Sequence, residues 1–561
     1  MSNFRFFTAA GLFTGLLVCF GVLLWDLQVV SGAAYYERSQ QSIAQVETVP
    51  AARGKLLDRK GKILAQDTLS WTVQVPEDCE GAALHRLTIL CREEGVDWSG
   101  AGDIPQPSPS LLVRLREENL PDITILPVVT RASGGDLAPH VIGRVGAMTP
   151  DQWETYEAQG YPMDTLVGQD GAEAAFEGLL HGVDGEKVIQ TDRQGQVTGE
   201  DYALLPQPGQ DVTLTLDKDL QGVTQQALGE FLAAHDCPGG AAVVLDVSDG
   251  GVLAMASLPG YDTAAFSADY TALSGDETSP LMNRAIQGLY APGSTFKLVT
   301  AAAALEEGVL TPETQILDTG RYTYYPSPQP QCWIYRQEGR THGLETLSEA
   351  IADSCNIFFY DAGRRVGIET LDTWAHALGL GESTGIELAG EGTGVVAGPA
   401  YTKSVGGVWY EGSVLSAAIG QENNRFTPLQ LAHMTATLVG GGERWQVHLL
   451  KKAGGEAYIP VSLGRVELSP ENLAAIKEGM LAVTQSGSLA ADFRDLPVQV
   501  GAKTGSAQVA ADREANAVLV AFAPYEAPQI ALALVAEEGG SGSALGEVAA
   551  AILEEYFKEI N

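Results

Sequence analysis

Residues Phe6–Trp25 read FFTAAGLFTGLLVCFGVLLW, a run of 20 residues without a charged side chain. As a helix rising about 1.5 Å per residue it spans roughly 30 Å, the thickness of a bilayer's hydrocarbon core. Arg5 precedes the run and Asp26 follows it. The positive-inside rule then places residues 1–5 in the cytoplasm and everything after residue 26 outside, as a single-pass protein of the cell membrane. The alternative is a cleaved leader, cut near Ser31-Gly32-Ala33, but the apolar run is long for a leader. The expectation is an uncleaved anchor over residues 6–26.

The other 535 or so residues exceed one ordinary domain, and two or three folded units are expected. Hydrophobic residues make up 45% of the chain, enough for real cores. The net charge of −37 argues against a nucleic-acid partner, because phosphate binding needs the opposite sign. A mixed α+β stretch occupies 27–209. It carries two short β-like runs around an Asp58-Arg59-Lys60-Gly61 turn, strand runs at 70–75 and 123–129, and breaks at Pro105, Pro107 and Pro109. From 210 the texture changes. A strand and helix over 211–235 lead to two apolar strands in 239–257 around a Ser248-Asp249-Gly250-Gly251 turn. Three apolar runs near the other end (LPVQVGAKTGSAQVA, NAVLVAFAPY, QIALALVAEE) read as successive strands. Residues 543–560 read as an amphipathic helix with Leu545, Val548, Ile552, Leu553 and Tyr556 on its apolar stripe. Two plus three strands suit one five-stranded antiparallel sheet flanked by helices, an α+β domain over 210–561. The six cysteines form no CxxC pair and stand beside no histidine cluster in sequence, so no zinc site is expected. Cys79 and Cys91 are within bridging range of a loop, but scattered buried thiols are the simpler reading.

The chemistry concentrates in APGSTFKLVTAAAALEEG, residues 291–308. Pro292-Gly293 is a turn signal, and a helix is expected to start at or just after Ser294. Lys297, three residues on, shares that helix face. Burying an ammonium group among Phe296, Leu298 and Val299 is costly and lowers its pKa. A neutral Lys297 can take the proton of Ser294, whose place at a helix start lets backbone N–H groups hold an oxyanion. Alone this pattern is weak, because N-cap serines and snorkelling lysines are common.

Two more patterns follow it: Ser354-Cys355-Asn356, about 60 residues later, and Lys503-Thr504-Gly505 in an apolar strand about 150 residues further on. The ordered set SxxK, SxN, KTG is the signature of penicillin-binding proteins and class A β-lactamases. The chain resembles a class B penicillin-binding protein, a monofunctional peptidoglycan D,D-transpeptidase. The likeness extends to ARGKLLDRKGKILA, to VGQDGAEAAFEGLLHGVDG (167–185) and to SAAIGQENNRFTPLQLAHMTATLVGGG (416–442). Nothing known matches residues 76–125. The resemblance implies a penicillin-binding-protein/β-lactamase-like transpeptidase fold over 210–561 and a pedestal or dimerisation-type domain over 27–209.

It also implies roles. Ser294 is the acyl-enzyme nucleophile and Lys297 its base. Ser354 relays protons to the leaving group, and Asn356 holds Lys297 and the substrate's peptide amide. Lys503, Thr504 and Ser506 receive the substrate's terminal carboxylate. The N–H groups of Ser294 and Ser506 form the oxyanion hole, and Gly505 lets a substrate strand lie close. Cys355 at the middle of SxN and Ser506 after KTG depart from the commoner residues, and Cys355 reads as a small buried thiol. The implied substrate is a stem pentapeptide ending in D-Ala-D-Ala, and β-lactams are the implied inhibitors. The implied process is peptidoglycan synthesis, which sets cell shape and division. No metal or organic cofactor is implied. No glycosyltransferase motif precedes residue 210, so a SEDS-family membrane polymerase is the expected partner. The rivals are a β-lactamase, for which GIELAGEGTG offers Glu387 and Glu391 but position 391 is Glu where an Asn is needed, and a β-lactam-binding sensor or scaffold.

Overall fold

The computed structural model describes residues 2–41, 44–76, 79, 81–105, 107–120, 122–191, 197–327, 329–508 and 513–558. Two compact units emerge: Met1–Gly54 with His181–Gln210, and Lys55–Leu180 with Asp211–Asn561.

In the first unit a helix covers Ser2–Trp25 and continues as a wider turn over Asp26–Val30. Among the described residues one helical stretch, Phe7–Val30, is long and apolar enough to cross a membrane; its mean hydropathy is 2.2 and none of it is buried by protein. A short helix, Gly32–Gln41, follows. The unit is completed by a three-stranded antiparallel sheet of Ala44–Val49, Gly185–Thr191 and Val197–Leu204.

The second unit is built on a five-stranded antiparallel sheet, as the apolar runs predict. Its strands are β1 (Gly240–Asp246), β2 (Val252–Leu258), β3 (Gly501–Ala507), β4 (Asn516–Ala523) and β5 (Ile530–Ala536), in the order β2-β1-β5-β4-β3. β4 and β5 are buried along their whole length. The reason is that the sheet is covered on both faces, so neither side of the pleat tolerates polar residues. Val243, Val520 and Ala533 face one core; Val244, Leu519 and Leu534 face the other. Helices α1 (Lys218–Ala234) and α7 (Gly546–Phe557) pack on the second face. The expected stripe of Leu545, Val548, Ile552 and Leu553 is buried there, joined by Phe557, with Tyr556 packed against it. The first face receives α2 (Lys297–Glu306), α3 (Leu347–Ala352), α4 (Asn356–Val366) and α5 (Pro428–Val439). Every residue of α5 is buried, and its start is fixed by a reciprocal Thr427/Gln430 capping box. Helix α6 (Pro470–Gln485) packs beside α3 and contributes Ala475, Ile476 and Met480 to that core.

Residues 55–180 also belong to this unit. The Asp58 turn holds because the buried Asp58 carboxylate accepts N–H bonds from Lys60, Lys62 and Lys218 at 2.9, 2.7 and 3.1 Å. The strand after it, Ile63–Gln74, is longer than the sequence suggests and pairs antiparallel with Thr124–Ser133. The stretch between them, for which the sequence suggested no resemblance, forms helices Ala82–Glu93 and Pro109–Glu118 over a small core of Val73, Leu87, Leu90, Leu111 and Leu115. Cys79 and Cys91 lie in this core as free thiols.

Candidate active site

Ser294 lies in a tight 3₁₀ turn, Gly293–Phe296, and α2 proper begins at Lys297. Gly293 requires a positive φ of 53° there. The turn is supported from behind by the IGQ segment: the Gly293 N–H donates to Gly420 O at 3.1 Å, and Thr300 Oγ1 donates to Ala418 O at 2.7 Å. Ser294 is half-exposed at the floor of a cavity of about 780 Å³, whereas Lys297 is fully buried. Burial pushes the Lys297 ammonium down to about 8, against opposing charge from Cys355, Cys332 and Glu345. Its Nζ donates to Ser354 O at 2.7 Å, Asn356 Oδ1 at 2.7 Å and Ser354 Oγ at 3.1 Å. The sequence reading sets Lys297 over Ser294. In the fold all three of its hydrogen-bond partners are on the 354–356 turn, and Ser294 Oγ makes no hydrogen bond among the described residues.

That turn is made by the end of one helix and the start of another. Helix α3 closes with Ser354 N–H on Ile351 O at 3.3 Å and Cys355 N–H on Ala350 O at 3.0 Å, the Schellman pattern. This pattern wants a left-handed residue just past the cap, usually glycine. Here it is Ser354, with φ of 53°. The strained backbone presents the hydroxyl between two lysines, with Lys503 Nζ 3.0 Å from Ser354 Oγ. Lys503 is also fully buried, and burial followed by the Lys297 charge drives its pKa well down.

Lys503 comes from β3, the edge strand of the sheet, paired on one side only with β4. Thr504, Gly505 and Ser506 line the cavity with Ser294, Ser354 and Asn356. Gly505 is also required by its own surroundings. A Cβ there would meet Pro292 O at 2.6 Å and Ser294 N at 3.4 Å, so the glycine admits the turn that carries Ser294. The Ser506 hydroxyl accepts from Gly542 N at 3.3 Å. Of the eight residues singled out in the sequence, six line one cavity, and the two buried lysines lie behind it, each hydrogen-bonded to Ser354 Oγ. Glu387 and Glu391 do not join them: Glu387 accepts the backbone N–H groups of Leu449 and Leu450, and Glu391 that of Thr384.

Behind the SxN turn the fold corrects the reading of the cysteines. Asp318, Cys332, His342 and Cys355 bring four donor atoms within 4.8 Å of one another, although they are spread over 38 positions of sequence. His342 Nδ1 is 2.9 Å from Asp318 Oδ2 and 3.5 Å from Cys332 Sγ, and Cys355 Sγ is 3.7 Å from Asp318 Oδ2. The Asn356 N–H, at the start of α4, donates to Cys332 Sγ at 3.3 Å. The neighbouring Cys355 thiol lowers the Cys332 pKa, with help from His342 and Asn356. The same contact and burial push Cys355 up. Burial opposes the charged form of His342, but its bonds to Cys332 and Asp318 and the charge of Glu345 raise it to about 9. Two thiols, an imidazole and a carboxylate are a donor set for a thiophilic ion such as zinc. No sequence spacing announces it, since residues 332, 342 and 355 come from a loop and a helix start. Trp333, Arg336 and Tyr360, on the same cavity wall, were also not legible in advance.

Comparison with known proteins bears on the family and the fold. Residues 240–558 match the penicillin-binding protein transpeptidase domain, and 108–214, which take in the helix Pro109–Glu118, match the penicillin-binding protein dimerisation domain. The peptidoglycan D,D-transpeptidase MrdA of Escherichia coli K12 is 30% identical over 97% of this chain and 92% of its own length. MrdA of Acinetobacter baumannii is 28% identical over 99% and 87%. A chain from a structure titled for polymerisation and cross-linking by a peptidoglycan synthase complex superimposes with a TM-score of 0.77 and 33% identity, covering 98% of each chain. PBP2 of Helicobacter pylori in complex with MreC gives 0.77 at 25% identity, over 92% of this chain and 99% of that one. With its transpeptidase sheet, its cavity at the β3 edge and these relatives, the chain belongs to the class B penicillin-binding proteins, the monofunctional peptidoglycan D,D-transpeptidases.

Proposed function

We propose that cross-linking proceeds through an acyl-enzyme on Ser294. The observation that carries this reading is the Ser354 hydroxyl held 3.1 Å from Lys297 Nζ and 3.0 Å from Lys503 Nζ. Two buried lysines at one hydroxyl cannot both hold their charge cheaply. We assign the proton-accepting role to Lys297, which stands one helical turn from Ser294, is fixed by Asn356 Oδ1 and Ser354 O, and has its pKa lowered to about 8 by burial. Ser294 Oγ attacks the carbonyl carbon of the penultimate D-Ala as its proton passes to Lys297. The oxyanion is held by the N–H groups of Ser294 and Ser506. The C–N bond then breaks, and the departing D-Ala amine takes the proton through Ser354. An acceptor amine from a second stem attacks the ester carbonyl and loses a proton to Lys297, which passes it to Ser294 Oγ as the acyl C–O bond breaks. Asn356 fixes Lys297 through its 2.7 Å bond. Lys503, Thr504 and Ser506 receive the terminal carboxylate, and the donor peptide lies along the open edge of β3. β-Lactams acylate Ser294 by the same route.

The tetrad behind the SxN turn suits a structural role if it holds an ion: four protein donors leave no open position for catalysis. Asp318, Cys332, His342 and Cys355 would hold it, and it would tie the start of α4 to the loop before it.

The first helix anchors the protein in the cell membrane with residues 1–5 in the cytoplasm and the rest outside; Arg5 before it and Asp26 after it support this orientation. We assign 27–209 to the pedestal and 210–561 to the transpeptidase. Glycan polymerisation falls to a SEDS-family membrane partner, a reading supported by the synthase complex to which a similar chain belongs. Lipid II polymerisation by the purified chain alone would sink it. The acyl-enzyme is tested by intact mass after brief exposure to benzylpenicillin. A one-drug adduct that persists for minutes and is absent from Ser294→Ala is expected. An adduct that vanishes as drug is consumed makes the protein a β-lactamase, and no adduct on folded protein refutes the mechanism.

A further inference from the structure

The cavity over Ser294 is lined mostly by neutral polar side chains, among them Gln331, Gln337, Gln421 and Gln508. Among the described residues its charged lining residues are Arg336 and Asp353. Arg336 belongs to the short helix Trp333–Glu338 and is exposed to solvent. Among the described residues it has no ion-pair partner and no side-chain hydrogen bond, unlike Arg364 on α4, which is paired to Asp361 and Tyr322. Its mount is nonetheless rigid. The Cys332 N–H donates to Gly320 O at 3.0 Å, and Trp333 Nε1 donates to Asp353 O at 3.1 Å. Ile334 is buried, and Tyr335 packs against Gly320 so closely that a Cβ there would come within 2.3 Å of the ring.

An unpaired guanidinium carried on a wall held by these contacts is available to a carboxylate. It matters more in this chain than in most, because a net charge of −37 sets an unfavourable field for an anionic substrate. The substrate's terminal carboxylate is already assigned to Lys503, Thr504 and Ser506. We infer that Arg336 is a specificity-determining residue that binds a second carboxylate of the stem peptide, one carried upstream of the D-Ala-D-Ala end. The inference rests on the cross-linking reading above and names the stem chemistry that the site selects. Stems offer two such groups: the second carboxylate of a diaminodicarboxylic third residue and the α-carboxylate of the isoglutamate.

Binding to the full-length Ser294→Ala protein in detergent tests this without turnover. Three fluorescent pentapeptides serve as probes. The first carries both upstream carboxylates; the second replaces the diaminodicarboxylic residue with lysine; the third amidates the isoglutamate. The first is expected to bind at least about tenfold more tightly than one of the other two, and which one identifies the carboxylate. Adding Arg336→Gln should reduce that ratio to near one, and Arg336→Lys should restore part of it. Equal affinity for all three probes, or an unchanged ratio in Arg336→Gln, overturns the assignment. Thermal melting of Arg336→Gln establishes that the variant is folded, and the benzylpenicillin adduct is followed in the parent chain alone. Failure of the parent chain to form that adduct counts against the acyl-enzyme reading, whereas the binding ratio reports on Arg336 alone.

Discussion

Replacing Lys297 with arginine keeps a cation in the pocket but removes a group that can be neutral near pH 7. The size of the effect follows from burial. An ordinary lysine at 10.5 is neutral in roughly 3 molecules in 10,000 at pH 7, and one at about 8 in roughly one in ten. The competent population is thus roughly 300-fold larger, equivalent to about 3 kcal/mol. The assay is the rate of benzylpenicillin adduct formation on the full chain, followed by intact mass from pH 6 to 9.5. The wild-type rate should climb about tenfold per pH unit at the acid end and level off above about pH 9. Lys297→Arg should acylate at least about a hundredfold more slowly and show no such limb. A flat wild-type profile, or the same limb in Lys297→Arg, would refute Lys297 as the proton acceptor. Stability carries the same signature. The folded pKa lies below the unfolded 10.5, so below about pH 8 both states hold the proton and the full cost of the buried charge is felt. As pH rises from about 8 to 10.5 the folded state is neutral first, and this group's contribution to stability improves by about 3 kcal/mol.

Ser354→Gly and Ser354→Ala both remove the hydroxyl between the lysines and should both abolish acylation; the glycine variant should be the more stable by about 1 kcal/mol in urea melts, because only it accepts a φ of 53° without strain. Gly505→Ala puts a methyl 2.6 Å from Pro292 O, so acylation should fall at least about a hundredfold as the Ser294 turn is pushed off β3, for a stability loss of only about 1–3 kcal/mol. Zinc added to metal-stripped full chain should raise its melting temperature and protect Cys332 and Cys355 from thiol reagents; Cys332→Ser should abolish both effects, since it removes one of four donors within 4.8 Å.

The parts legible in advance were those written in local pattern. The apolar runs gave five strands because a sheet covered on both faces leaves no polar positions on β4 or β5. The turn at Asp58 was readable because its residues cap one another locally, at 2.9 and 2.7 Å. Strand lengths were less readable. Ile63–Gln74 runs on through Asp67 and Ser70 because Thr124–Ser133 pairs with it along its length, and pairing is not a local property.

The reactive residue types were fixed by chemistry that spacing preserves: a serine and lysine one helical turn apart, and a lysine in an apolar strand, stand out because burying an ammonium needs a reason. The three segments lie far apart in the chain, so what the tertiary structure alone decided is what each group faces. It turned Lys297 toward Ser354 and Asn356, and it filled the space beside Gly505 with the protein's own turn. It gathered Asp318, Cys332, His342 and Cys355 from segments with no common pattern. Sequence periodicity reports which face of an element is buried; it carries no record of which distant side chains share that burial, and the pKa values near this site depend on that company.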